Sequence, residues 1–399
     1  IPGYFDKDFS ASWQKVGEYL LEEEYFGGAM KQCSFLNDIA KTIHESQVSS
    51  NEKVYQAFNY IKENIKWNNV NSIFVSKNYK ENFTKNHTGN SAEINLMLVA
   101  LLNKSGLNAY PVVLSTRDNG LINPISASLN KLNYVIAGVK IENDTLLLDA
   151  TSPHTIPGIL PKRCLNYNGW LVHKSSGAWV NLIGNKTFSV KQFIRIHPDQ
   201  EHNFIAEVTN TYEGYAYLDW IADYDKEGSE EAFAAYLNAL NKAIVIEDFK
   251  LQFINKEKIN ASETLRANIS LSNYVEDIGK EMIINPFLLN DFDQNPFKAE
   301  QRKFPVDFIY PMKRTITISM TVPENYSIIS IPEYFKMVTP DNSASFTFLS
   351  QSSNNTISMQ CNLIISKSVF TESEYPVMRN FFSEVVKKFN EYVQLKKNT

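Results

Sequence analysis

The sequence predicts an α+β protein: a buried helix on an antiparallel sheet, then an all-β sandwich with a C-terminal helix. Three observations lead to this fold class. Between residues 11 and 66, apolar side chains recur at intervals of three and four, the period of amphipathic helices. Residues 94–102 are apolar at all but one position, as in a helix buried on all sides, and strand patterns follow this segment. From residue 186 onward, alternating stretches rich in β-branched and aromatic residues dominate.

Length and composition indicate a folded protein with more than one domain. A chain of 399 residues exceeds the usual size of one hydrophobic core, and a hydrophobic content of 43% excludes a disordered chain. The net charge of −5 argues against nucleic acid or an anionic membrane as a partner. Because the sequence contains no apolar run of 18 residues, we expect no transmembrane segment in this chain.

The three cysteines predict neither a disulfide framework nor a metal site. Cys33, Cys164 and Cys361 lie far apart, without a Cys-x-x-Cys or Cys/His spacing. We therefore expect no metal and no cofactor. The chain begins at Ile1 rather than at methionine, which favours a trimmed or mature chain whose targeting segment would already have been removed.

Two helix starts in the first half carry capping signals. Ser49 with Glu52 precedes one amphipathic helix, and Asn90 with Glu93 precedes the apolar helix. Residues 67–90 between these helices are rich in Asn, Lys and Ser, and we expect an exposed connection there.

Strand patterns follow the apolar helix. Gly106 is placed to end that helix in the left-handed conformation. The turn "ENDT" predicts an antiparallel hairpin between the two strands that flank it. The expected strands are "AYPVVLST" (109–116), "LNYVIAGVKI" (132–141), "TLLLDAT" (145–151) and "GWLVH" (169–173). A helix packed on such a sheet is an α+β arrangement.

The second half is expected to be a β-sandwich with two helices. Helices are predicted within 229–243 and 375–395, and the whole stretch "NFIAEVTNTYEGYAYLDWIA" (203–222) is assigned to strand structure. The expected domains are an N-terminal helical segment at 1–48, a helix-and-sheet domain at 49–185 and a β-sandwich domain at 186–399.

Three motifs of the helix-and-sheet domain occur in a suggestive order. Ser91 begins the apolar helix in "GNSAEINLMLVALLNKSGLNA", Tyr134 lies on the first hairpin strand, and Asp149 ends the second strand in "LLLDATSP". This order and spacing resemble the transglutaminase-like superfamily, whose core has a papain-like arrangement. In that family a Cys begins the helix, a His follows on a strand, and an Asp lies on the next strand in an Asp-Ala-Thr or Asp-Pro-Thr motif. The resemblance covers roughly residues 50–185.

The resemblance also extends to domain organisation. Some bacterial members flank this core with β-sandwich domains of unassigned function, and "NPFKAEQRKFPVDFIYP" and "FNEYVQLKK" are similar to the sandwich that trails it. Such proteins commonly carry a further sandwich before the core. The resemblance therefore implies an additional N-terminal domain and export to the periplasm or the cell surface.

The chain departs from the family at two of three catalytic positions. Ser91 stands where the family has Cys, and Tyr134 where it has His, whereas Asp149 is retained. A thiol ionises at modest cost, but a serine needs a base that accepts its proton. A tyrosine with a pKa near 10 is neutral at pH 7 and donates a hydrogen bond instead. We expect Tyr134 to donate to Asp149 as a structural tie.

Each motif residue also has a purely structural interpretation. Ser91 would be a first-turn helix residue with its hydroxyl on backbone or in water, and Asp149 would hold a turn through backbone N–H groups. His87 and His154, which lie near the motifs in sequence, are expected to be polar loop residues rather than bases. Asp118 is expected to shape a turn before a glycine, and we expect no nucleophilic role for Cys164.

Three functional hypotheses follow. The first is a non-catalytic transglutaminase-like protein with a degenerate triad, which binds or scaffolds an unknown protein, peptide or glycan. The second is an amide-bond hydrolase or acyl transferase that uses Ser91, with an oxyanion hole at the helix N-terminus. The third is a carbohydrate- or peptide-binding module in the β-sandwich, which exposed, coplanar aromatic side chains such as Trp170 or Trp220 would favour.

Overall fold

The computed structural model describes residues 12–184, 186–198, 204–240, 246–253, 263–270, 274–287, 292 and 294–398. The chain divides into two compact units, Ile1–Gly184 and Asn185–Thr399. Each unit has a hydrophobic core of its own. The finer division of the first unit at residue 48 stays a prediction.

Helices surround the core of the first unit. The helical pattern predicted over residues 11–46 is confirmed as a series of short helices, and Ser49 caps the next helix by accepting the Glu52 N–H at 3.3 Å. The helical segments before the central helix are Trp13–Glu22, Glu24–Gly28, Ala29–Lys31, Ser34–Leu36, Asn37–Glu45, Ser50–Asn64, Tyr79–Glu81 and Asn82–Asn86.

The predicted apolar helix spans Ser91–Lys104 and is the centre of the first unit. Every residue from Ser91 to Leu102 is buried. Asn90 and Glu93 form the predicted reciprocal capping box, in which each side chain accepts the other residue's backbone N–H. Gly106 follows with φ +85°, the left-handed conformation that glycine adopts without steric cost.

The helix packs on a five-stranded sheet that is antiparallel throughout. The predicted hairpin is present, and its two strands are joined by a two-residue turn between Ile141 and Asp144. In spatial order the strands are Asp144–Leu148, Tyr134–Ile141, Asn108–Leu114, Asn168–Leu171 and Ala178–Asn181.

The expectation that residues 67–90 form an exposed connection was wrong. Four of its apolar side chains, Ile73, Val75, Tyr79 and Phe83, are buried in the core of the first unit, although Val70 is 50% exposed. Most of the other residues in the segment are polar and exposed. Its average composition therefore gave no indication that these apolar side chains are buried. At its ends, Lys66–Trp67 and Thr88–Gly89 pair in parallel.

The second unit is rich in β-structure, as predicted. Its eight-stranded sheet has the spatial order Ile246–Phe253, Glu263–Ser270, Phe204–Gly214, Phe188–Pro198, Met312–Thr321, Thr356–Ile365, Ala344–Ser353 and Phe335–Val338. Its four-stranded sheet has the order Val275–Ile278, Glu281–Ile284, Val393–Lys397 and Tyr326–Ser330. Two short strands, Val306–Asp307 and Val369–Phe370, pair separately.

The described residues of the second unit also form three helices. Two of them, Tyr215–Glu227 and Glu230–Leu240, follow one another, and the third is Tyr375–Phe389. The third helix buries Phe381, Phe382 and Val385 in one core with residues from both sheets. No helix in the described ranges is long and apolar enough to cross a membrane.

Two assignments in this unit were wrong. The stretch 203–222 is a strand only as far as Gly214, whose φ of +62° ends the extended chain. The helix that follows buries Tyr217, Trp220 and Ile221, at helical spacing. The helix predicted over 375–395 ends at Phe389, and Val393–Lys397 is a strand with alternating burial.

Candidate functional site

Ser91 lies at the start of the central helix and is fully buried. Its Oγ donates to the backbone oxygen of Ser72 and accepts the backbone N–H of Ser72, both at 2.8 Å. The backbone N–H of Ser91 donates to the Val70 oxygen at 3.1 Å. These three bonds join the start of the helix to the preceding segment. As predicted, the serine hydroxyl is engaged by backbone.

Glu93, two positions after Ser91 in the first turn, holds the same segment. One carboxylate oxygen accepts from the Ser76 hydroxyl at 2.6 Å, the Ser76 N–H at 3.1 Å and the Asn82 amide at 3.1 Å. The other accepts from the Asn90 N–H at 2.8 Å. A buried carboxylate is stable when hydrogen bonds satisfy it, and four donors do so here. The N-terminus of the helix is therefore covered by residues 70–82.

Asp149 is fully buried at the end of the hairpin and accepts hydrogen bonds on both oxygens. Oδ1 accepts from the Thr151 N–H at 3.0 Å, the Thr151 hydroxyl at 2.7 Å and the Asn95 amide at 3.0 Å. Oδ2 accepts from the Tyr134 hydroxyl at 2.9 Å. The turn at Thr151 is held through its backbone N–H, as expected of a structural carboxylate.

Tyr134 is fully buried, and its hydroxyl donates to Asp149 as the sequence predicted. The hydroxyl oxygen also accepts from Arg163, from Nε at 3.2 Å and from Nη2 at 3.1 Å. Burial, and then the charge of Asp149, raise the pKa of the phenol well above its ordinary value. Tyr134 is therefore neutral at physiological pH and cannot accept a proton from a nucleophile.

Arg163 supplies the positive charge next to Asp149. Its Nη2 lies 3.7 Å from Oδ2 of Asp149 and donates to the hydroxyl of Thr151. The guanidinium lies over the ring of Trp67 at 4.1 Å, a cation–π contact. Burial opposes the charge, but Asp149, Tyr134 and Cys164 together outweigh it, so the pKa of Arg163 is raised. Arg163 therefore stays charged.

The structure brings together only two of the three predicted site residues. Tyr134 and Asp149 are in contact, whereas the Ser91 hydroxyl is bonded to Ser72. His87 is exposed, and its Nδ1 lies 2.8 Å from the backbone oxygen of Asn64. His154 is half-buried in the loop after Asp149. Neither ring is a partner of the Ser91 hydroxyl.

The predicted turn role of Asp118 agrees with the geometry. Its Oδ1 accepts from the Thr116 hydroxyl at 2.5 Å, and Gly120 follows with φ +92°. Asn166 donates its amide to the backbone oxygens of Ser115 and Gly120, which binds this turn to the loop after Arg163.

Cys164 touches Asp149 but is not activated. Its Sγ lies 3.4 Å from Oδ2 of Asp149, and the residue is fully buried. Burial and the neighbouring carboxylate raise the pKa of the thiol well above its ordinary value. Since the thiolate is the nucleophilic form, Cys164 is an inert thiol, consistent with its interpretation from the sequence.

Sequence reasoning missed Asn95 and Arg163. Asn95 is the one uncharged polar side chain between Ala92 and Leu102, and that isolation was a usable signal. Its amide donates to Asp149 and to the Val135 oxygen, both at 3.0 Å, and its Oδ1 accepts the Ala150 N–H at 3.1 Å. Arg163 lies in a loop without periodicity, so no pattern pointed to it.

Trp170 and Trp220 do not form an exposed aromatic surface. Each is only 7% exposed. Trp170 packs against Trp13 and Trp179 within the first unit, and Trp220 stacks with Tyr224 in the second. The observation that would have favoured a glycan-binding role for these two side chains is therefore not met.

One protein-family model matches part of the chain, and solved structures are similar to it. The model, described as a domain of unknown function with solved structure (DUF3858), matches residues 280–395. No curated protein matches the chain. The matched region lies entirely in the second unit and gives no assignment for the Tyr134–Asp149 site.

Two solved structures are similar to the chain. A crystal structure from Parabacteroides distasonis, described as a "putative protease", has a TM-score of 0.52 at 10% identity, over 96% of this chain and 58% of that one. A structure described as a TGase has a TM-score of 0.22 at 16% identity, over 32% of this chain and 36% of that one. The chain thus spans little more than half of the first structure. The fold is α+β: a central helix packed on an antiparallel sheet, followed by a β-rich unit with a helix near its C-terminus.

Proposed function

We propose that this chain is a non-catalytic transglutaminase-like protein with a binding or scaffolding role. The observation that carries the proposal is the Tyr134–Asp149 hydrogen bond beside Arg163. In a working triad the carboxylate orients a base. Here it holds a neutral phenol and a guanidinium, neither of which accepts a proton at physiological pH.

The environment of Ser91 supports the same proposal. Its hydroxyl is fully buried, and its proton is directed to the Ser72 backbone oxygen. Attack on an amide would require that bond to break, the covering segment to move and a base to enter. In a serine enzyme the base and the access to the hydroxyl are already in place. Here the hydrogen bonds to Ser72 stabilise a state in which the Ser91 hydroxyl is covered.

The proposal is tested by assaying the purified chain for amide chemistry. Hydrolysis of casein and incorporation of a fluorescent amine into casein are measured for the wild type and for Ser91→Ala. We expect no turnover above buffer in either protein. Turnover in the wild type that Ser91→Ala abolishes would contradict the proposal and favour a hydrolase or acyl transferase.

A second readout reports on the hydroxyl itself. The folded protein is treated with a fluorophosphonate, which reacts with activated serines, and peptides are analysed by mass spectrometry. We expect no adduct at Ser91. A stoichiometric adduct would show an activated hydroxyl and would overturn the proposal even if casein is not the substrate.

A further inference from the structure

A groove in the second unit lies where the C-terminal helix ends. Its volume is ≈ 630 Å³, and it lies within the region matched by DUF3858. Residues 331–335 form one part of its lining. The rest comes from Ile283 and from Lys388, Asn390, Glu391, Tyr392 and Gln394. Small-molecule sites commonly occupy 300–1,000 Å³ and combine apolar walls with a few polar groups, so this groove has the size of a ligand site.

Two exposed tyrosines line this groove. Tyr334 is 62% exposed and Tyr392 is 53% exposed, although they belong to different segments of the chain. Large aromatic side chains are enriched where proteins contact ligands, because one part of the ring is apolar and the hydroxyl is polar. Their convergence on one groove indicates a contact surface.

Lys388 also lines the groove, and its side chain is held by neighbouring groups. The side chain of Lys388 is only 7% exposed, and its ammonium lies 2.7 Å from Oε1 of Glu391. It also donates to the Glu333 backbone oxygen at 3.0 Å and lies over the rings of Phe335 and Phe348. Polar groups held in this way are preorganised, which lowers the entropic cost of binding.

The charges of the lining argue against an anionic ligand. Lys388 is neutralised by Glu391, and Glu333 leaves the groove with a net negative charge. Asn390 and Gln394 add neutral amide groups. An acidic ligand would be repelled, whereas a neutral one with many hydroxyl groups would find carboxylate and amide partners.

Two of the strands beside the groove are not available for pairing with a peptide, whereas Tyr326–Ser330 and Phe335–Val338 are edge strands of their sheets, so a peptide is tested as a competitor below. Val393–Lys397 is bonded on both sides, to Glu281–Ile284 and to Tyr326–Ser330. Glu281–Ile284 is likewise paired on both sides. Because an extended peptide usually binds by adding a strand to a free edge, these two strands offer it no such template.

We propose that this groove binds a neutral saccharide, with the rings of Tyr334 and Tyr392 against the C–H faces of the sugar and polar side chains on its hydroxyls. The proposal rests on the second unit alone. It therefore goes beyond the proposed function of the transglutaminase-like core, and either can fail without the other.

The experiment screens the full chain on an array of neutral and acidic glycans and measures each hit by isothermal titration calorimetry. We expect a neutral oligosaccharide to bind, and Tyr334→Ala with Tyr392→Ala to weaken its affinity by about tenfold or more. Tyr334→Phe, which keeps the ring, should retain more affinity than Tyr334→Ala. Tyr55→Ala removes a 39% exposed tyrosine from the first unit and should leave the affinity unchanged.

Three outcomes would overturn the proposal. These are the absence of any neutral glycan among the hits, a preference for acidic glycans or for an extended peptide added as competitor, and undiminished binding by the double variant. Thermal unfolding of each variant is measured in parallel. If the double variant does not fold, Tyr334→Ala and Glu333→Gln are measured singly by the same titration, and each must weaken the affinity.

Discussion

The hydroxyl of Tyr134 donates a 2.9 Å hydrogen bond to Oδ2 of Asp149 and accepts two from Arg163. The phenol thus lies between an anion and a cation and forms hydrogen bonds with both. In a triad with histidine at this position, the same carboxylate would orient an imidazole. These hydrogen bonds form a buried cross-link between the hairpin and the loop at Arg163.

Removing the Tyr134 hydroxyl should destabilise the protein. Tyr134→Phe keeps the ring but leaves Arg163 and Asp149 each without one partner, which costs about 1–3 kcal/mol of unfolding free energy. Urea denaturation at pH 7 measures it. Tyr55→Phe, at an exposed position, should change the value by less than about 0.5 kcal/mol. Equal stability of Tyr134→Phe and the wild type would show that the hydroxyl contributes little.

The same residue predicts an alkaline loss of stability. Burial and Asp149 raise the pKa of Tyr134 in the folded protein, whereas the unfolded phenol ionises near pH 10. The unfolded state therefore loses the proton first, and the stability that neutral Tyr134 contributes is complete below about pH 10 and declines above it. Between pH 10 and 11, the wild type should lose up to about 1.4 kcal/mol more than Tyr134→Phe. The unfolding free energy of both proteins is measured by urea titration at pH 10 and at pH 11. An equal loss in the wild type and in Tyr134→Phe would contradict this prediction.

Breaking the partly buried ion pair between Arg163 and Asp149 should cost more than breaking a surface pair. Arg163→Met leaves the buried Asp149 without its cation and should lower the unfolding free energy by about 3–5 kcal/mol. Lys191→Met, which breaks an exposed pair with Glu213, should cost less than about 1 kcal/mol.

A double variant separates the charge from the packing. Adding Asp149→Asn to Arg163→Met removes the stranded anion, so the combined loss should be smaller than the sum of the single losses. Additive losses in a urea-based double-mutant cycle would indicate that the two side chains act independently.

Introducing a thiol at position 91 and an imidazole at position 134 should not produce amide chemistry. Ser91→Cys with Tyr134→His supplies a thiol and an imidazole, but Arg163 would remain beside Asp149 and disfavour a protonated imidazole. The thiol would also be covered by the segment that contains Ser72. We expect no amine incorporation into casein by this variant. A rate that also depends on position 91 would contradict the expectation.

The native thiols should be unreactive in the folded protein. Cys33, Cys164 and Cys361 are all buried, and burial raises the pKa of each thiol. Ellman's reagent at pH 8 should therefore react with none of the three until the chain is unfolded in guanidinium. Rapid reaction of a single thiol under native conditions would identify an accessible cysteine and require a reassessment of Cys164.

Regular patterns in the sequence predicted much of the first unit. Asn90, Glu93 and the apolar run after them defined the central helix, because capping and burial both act over a few neighbouring residues. The strand positions of Tyr134 and Asp149 placed both residues at the end of the hairpin that lies away from its turn. Arg163 could not be found in this way, since a loop position is set by contacts between distant residues.

The errors have related physical causes. Ile73 and Val75 anchor a segment whose other residues are mostly polar, so average composition favoured solvent. Beyond Gly214 the aromatic residues alternate almost as in a strand, and only the left-handed glycine and the burial of Trp220 and Ile221 distinguish the helix. At the C-terminus, the alternation of Val393 with Leu395 was too short to be separated from the preceding helix.

The order of strands in the large sheet bears on how the chain folds during synthesis. Phe188–Pro198 pairs in parallel with Met312–Thr321, which is made about 120 residues later and therefore leaves the ribosome roughly 6–25 s afterwards. Until then that edge of the earlier strand is open, a state that favours association with other chains. The second unit should therefore gain most from chaperones in this interval, and a chain shortened to residues 280–395 would leave the corresponding edge of Met312–Thr321 permanently unpaired.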